Sequence, residues 1–89
     1  MEQKICPVEM ISICSTDGQL MPVRFRFESE SHEICTVQIS EVVCVKQTNY
    51  VGIEALLYVC KAQMEHAERL LELKYTVRTH RWVLFRAVY

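Results

Sequence analysis

From Leu20 to Glu28 the side chains alternate, with Val23, Phe25 and Phe27 set between Arg24, Arg26 and Glu28, and an extended strand sorts such a set onto two opposite faces. One face is then buried and the other wet. The preceding segment, Val8 to Ser15, is rich in isoleucine and runs into Ser15-Thr16-Asp17-Gly18, where Asp-Gly is the strongest short-range hairpin signal a sequence carries. Two strands joined by a turn at Asp17-Gly18 follow. Pro22 has no N–H to give a neighbouring strand, so it marks an edge or an entry point.

The same period governs much of the remaining chain. After a polar turn over 29–33, the stretch Ile34 to Lys46 sets Cys35, Val37 and Ile39 against Thr36, Gln38 and Ser40, until Val42, Val43, Cys44 and Val45 run together beyond Glu41. A bulge there would bend one long strand around a barrel corner. Residues 47–52 read as a loop with Asn49 and Gly52 as its turn formers. Residues 53–74 carry two periods at once. Ile53, Leu56, Leu57, Cys60, Met64, Ala67 and Leu71 fall on one helical face, and Glu65 with Arg69 makes a favourable helical pair. Equally, Ile53, Ala55, Leu57 and Val59, then Leu71, Leu73, Tyr75 and Val77, fit two strands with a tip at 64–68. Arg78-Thr79-His80 turns into a last strand, Arg81 to Val88.

These segments fill the chain without a linker, so residues 1–89 are read as a single domain. The expected fold is all-β, a small antiparallel barrel or strongly bent sheet of five to six strands; an α+β fold with a helix over 53–73 is the alternative. Pro22-Val23-Arg24-Phe25-Arg26-Phe27-Glu28, then Tyr58-Val59-Cys60, Glu72-Leu73-Lys74-Tyr75 and Thr79-x-x-Trp82-x-Leu84-Phe85, together form a pattern that resembles a group of small uncharacterised bacterial β-domain proteins. The resemblance runs from about Met10 to the end. It implies a compact β domain and lends no activity.

Composition limits the partners. Apolar residues make up 51% and charged residues 24%, with only two glycines and two prolines, which argues against disorder. The formal charge is −1, so no global field recruits polyanions. Distribution says more: residues 1–73 hold six basic and eleven acidic groups, whereas 74–89 hold Lys74, Arg78, Arg81 and Arg86 with no acid. The five cysteines include no Cys-x-x-Cys pair and read as small buried hydrophobes in a reducing compartment, with Cys6 the most accessible. Pro7 and Glu9 interrupt any leader-like run, and Ala55 to Cys60, the longest apolar run, is too short to span a bilayer. A cytoplasmic protein without membrane contact is expected.

The chemistry-bearing motifs are missing. Gly18 and Gly52 stand alone, so neither a phosphate loop nor a dinucleotide fingerprint can be built, and no nucleophile elbow, zinc-protease helix or calcium loop is present. His32-x-x-Cys35 is the nearest approach to a metal site, but His66 and His80 are distant and all three histidines lie in turns. Glu28 with Glu30, and Glu65 with Glu68, read as solvated edges. No catalytic, metal or cofactor residue is expected.

What remains is a surface. Arg24 and Arg26 share one side of their strand, Lys74 and Arg78 share one side of theirs, and Trp82 with Arg86 lie on one face of the last strand. Adjacent, these would form a basic surface with an aromatic platform, as in single-stranded nucleic-acid binding. If Trp82 faces the core instead, Arg81 rather than Arg86 lies outside. The other surface is a strand edge covered by a second copy, with Tyr50, Tyr58, Phe85 and Tyr89 as the aromatics to watch. The function expected is that of a non-catalytic interaction module binding a protein partner or itself as a homodimer. Nucleic-acid binding through the carboxy-terminal basic region is the alternative, and an enzyme ranks third.

Overall fold

Each strand pairs antiparallel with the one before it and the first also pairs with the last, so six strands close into a barrel. The computed structural model describes residues 6–64 and 66–87. The strands are β1 (Cys6–Cys14), β2 (Leu20–Glu28), β3 (Ile34–Tyr50), β4 (Ile53–Met64), β5 (Ala67–Thr76) and β6 (Arg81–Ala87). Among the described residues no helix is long and apolar enough to cross a membrane. Glu65, Val88 and Tyr89, each singled out in the sequence, lie outside the described residues.

Residues 53–73 resolve as strands, which settles the helix alternative against itself. Here β4 runs between β3 and β5, pairing Tyr58 with both Val45 and Leu73, so its backbone is satisfied on two sides and helix propensity is overridden. The connection is tighter than the tip expected at 64–68, since Met64 pairs with Ala67. The loop expected over 47–52 is also shorter. Tyr50 pairs with Ile53, which leaves only Val51 and Gly52 in the turn, both left-handed at φ 53° and 78°, and Asn49 sits in the strand opposite Glu54. Continued ladder pairing outweighs the strain of a β-branched residue at positive φ. The Asp17-Gly18 turn forms as expected. Gly18 takes φ +88° and donates to the Ser15 carbonyl at 2.9 Å, while the Ser15 hydroxyl and the Gln19 N–H hold the Asp17 carboxyl below the usual range.

Among the described residues, four bulges shape the wall. Val23 in β2, Ser40 and Val43 in β3, and Phe85 in β6 are each the extra residue opposite a continuous partner strand. A bulge flips the sides that follow and sharpens the local twist. Inside, Phe25, Val37, Tyr58, Cys60, Ala62, Leu71, Leu73 and Trp82 make the core. A fully buried side chain of this size contributes roughly 1.5–3 kcal/mol. Trp82 packs between Tyr58 and Tyr75, with ring centroids 5.1 and 4.9 Å away. The cysteines divide differently from expectation. Only Cys60 is buried, Cys6 and Cys35 are half-buried, and Cys14 and Cys44 are exposed, because the first lies beside a turn and the second beside the Val43 bulge.

Candidate functional site

The barrel wall opens twice, once on each side of the same hairpin. Among the described residues three pairs form between β1 and β6, Cys6 with Leu84, Pro7 with Val83 and Val8 with Trp82. Beyond Val8 only Arg81 of β6 remains, and the β5–β6 turn stands there instead. On the other side β2 and β3 pair from Glu28–Ile34 to Arg24–Gln38 and then part. The Ser40 and Val43 bulges carry β3 away from β2. Pro22 therefore sits on an unpaired edge, as its missing N–H requires. Leu20, Met21 and Pro22 pair with β1 alone.

The first opening is a cleft of about 600 Å³ with Ser12, Tyr75, His80, Arg81 and Trp82 on its walls. Thr76 pairs with Arg81 and Tyr75 with Trp82, so register brings the guanidinium and the two rings to one end of the barrel. The Tyr75 hydroxyl and His80 Nδ1 are 2.8 Å apart, and His80 is held in the left-handed region at φ 58° by the turn. The cleft has no acidic residue on its walls. Among the described residues the Trp82 indole N–H has no hydrogen-bond partner.

The second opening is an apolar groove of about 430 Å³, with Leu20 and Met21 on one bank, Val42, Val43 and Val45 on the other, and Tyr58 in its floor. The Tyr58 hydroxyl donates to the Leu20 carbonyl at 2.6 Å and so ties the hairpin to the floor. Burial, with smaller contributions from Tyr75 and Cys60, raises the Tyr58 hydroxyl above its ordinary value. Burial also pushes the Cys60 thiol up to about 12, with Cys44 adding to it.

The basic residues singled out in the sequence fall into separate groups. Arg24 and Arg26 project from β2, across β1 from the cleft, where Arg26 Nε meets Glu9 Oε1 at 2.5 Å. Arg86 is held by Glu72 at 3.3 Å. Arg78 is exposed in the β5–β6 turn rather than continuing the face of Lys74, which lies opposite Val83. Trp82 is only 7% exposed and belongs to the core, so the outward platform with Arg86 does not form. The Phe85 bulge explains why: it shifts Arg86 to the outer face, and Arg81 and Arg86 both end up outside. Sequence reasoning missed Tyr75 and His80 as partners, although Thr79-His80-Arg81-Trp82 crowds two polar rings and a cation into four positions. It also missed Val43 and Val45 as exposed residues; the unbroken Val-Val-Cys-Val run was the available signal.

No family model, curated protein or solved structure matches the chain.

Proposed function

We propose that this protein is a non-catalytic interaction module that self-associates through the outer edge of β3. The observation that carries this reading is the free edge itself: past Gln38, β3 pairs with β4 on one side and with none of the described residues on the other. A strand edge of that length, flanked by Val43 and Val45 at 48% and 47% exposure, is a template for another strand. Natural edges are guarded by charge. From Glu41 to Tyr50 the only charges are Glu41, already facing Lys61 at 3.7 Å, and Lys46. Every molecule in solution carries the same edge, and two such edges can pair across a two-fold axis, so a second copy is the partner argued here. The many free thiols, two of them exposed, suit a reducing cytoplasm.

Sedimentation velocity across the micromolar range tests the reading. The expected result is a mass that doubles with concentration and returns to that of one chain in Val43→Lys and Val45→Lys variants, whose circular dichroism remains that of the parent. A single-chain mass throughout for the parent protein overturns it.

A further inference from the structure

We propose that the cleft at the β1–β6 opening binds a nucleobase with its phosphate, either as a free nucleotide or as one unit of a single strand. The inference concerns a different opening from the β3 edge and stands apart from self-association. Size comes first: about 600 Å³ falls within the range of small-ligand pockets. Charge comes next. Arg81 lines the cleft and has no ion-pair partner among the described residues, and the same holds for Arg78 in the adjoining turn and Lys74 on the neighbouring strand. Glu72, the acid nearest along β5, is engaged by Arg86. A cleft with a free guanidinium and no carboxylate on its walls attracts an anion.

The remaining walls narrow the anion to one with a flat ring. The half-buried ring of Tyr75, with Trp82 packed behind it, is an aromatic surface against which a base can stack, and stacking is tolerant of base identity. The indole N–H of Trp82, without a hydrogen-bond partner among the described residues, and the hydroxyl of Ser12 are polar groups of the kind that read a base edge or a sugar. Inorganic phosphate alone would leave this aromatic and apolar lining unused. The buried Trp82 is thus read as the back wall of a pocket and not as an outward platform.

Trp82 is the only tryptophan in the chain, so its emission reports directly on the cleft. The full-length protein is titrated with adenosine monophosphate, with a short oligodeoxythymidylate and with inorganic phosphate, at low and at high salt. Quenching by both the nucleotide and the oligonucleotide supports a nucleotide pocket. Quenching by the oligonucleotide alone, lost as salt rises, supports a strand-binding site instead. In either case Arg81→Gln weakens binding about tenfold, the loss of one charge-assisted contact. Arg69→Gln, at the far end of β5, leaves it unchanged. The proposal is overturned if neither ligand alters the emission at low salt, or if Arg81→Gln binds as tightly as the parent. It is also overturned if the emission shifts on concentrating the protein alone, which would mean that a second copy covers the cleft.

Discussion

Two openings flank the β1–β2 hairpin, and each takes its chemistry from the way its strands come to part. Beside β6 the ladder ends because β6 itself begins at Arg81, so the gap is bordered by a turn and acquires the polar residues that turns carry, His80 and Arg81. Beside β3 the partner strand continues but is bent away by Ser40 and Val43, so the gap is bordered by strand and acquires strand residues, Val42, Val43 and Val45. A break made by a turn is wet and charged, while a break made by bulges is apolar. The first suits a small anionic ligand and the second another polypeptide.

The contrast can be tested at its sharpest in the thiols of the β2–β3 opening. Cys44 is exposed at the groove, whereas Cys60 is buried beneath it with its thiol pushed up to about 12. At pH 8 only about one Cys60 in ten thousand is a thiolate, so alkylation of the native protein followed by mass mapping should modify Cys44 and spare Cys60. The raised value also fixes a sign. Protonated Cys60 is favoured by the fold, so its contribution is complete below the ordinary thiol value of 9.0 and is lost as the pH climbs towards about 12. A Cys60→Ala variant should lose part of that alkaline decline in melting temperature.

Phe25 pairs with Met10 and with Val37, one residue short of the last level where β1, β2 and β3 remain together, so both openings depend on it. Phe25→Ala should cost about 3–5 kcal/mol in urea unfolding and speed hydrogen exchange on both sides of the hairpin. Tyr58→Phe separates the two openings. It leaves the Leu20 carbonyl without its donor, at a cost of about 1–2 kcal/mol, and exchange should rise at Leu20–Val23 while Cys6–Val8 stay as protected as before. Away from both openings, Val51→Asn should stabilise the barrel by roughly 1 kcal/mol, because asparagine tolerates the left-handed region that valine resists. Smallest is Arg26→Ala. Its ion pair with Glu9 is exposed, and the expected change is under about 1 kcal/mol with neither opening affected.

Much of the wall was legible one residue at a time. The Arg24-Phe25-Arg26-Phe27 alternation, the Asp17-Gly18 turn and the edge position of Pro22 are local properties, set by pleat period, by Gly18 at positive φ and by a missing N–H. Residues 53–73 were ambiguous because β4 covers apolar positions on both faces: Tyr58 and Cys60 look inward while Ala55 is buried on the other side. A strand apolar on both faces keeps a helical spacing as well. The cleft was half legible. Arg81 and Trp82 were named, but Tyr75 joins them through its register with Trp82, and Ser12 only because β1 closes the barrel against β6, far along the chain.

By itself, then, the sequence determined that this chain makes strands, roughly where they turn, and that a basic carboxy-terminal segment ends it. Tertiary structure alone decided which faces look inward past each bulge, that Arg81 and Arg86 both lie outside, and where the barrel wall stays open. The reason is the period of two. A single extra residue, such as Phe85 or Val43, reverses every side chain that follows, and whether it is accommodated as a bulge depends on the register of the neighbouring strand and not on the local sequence.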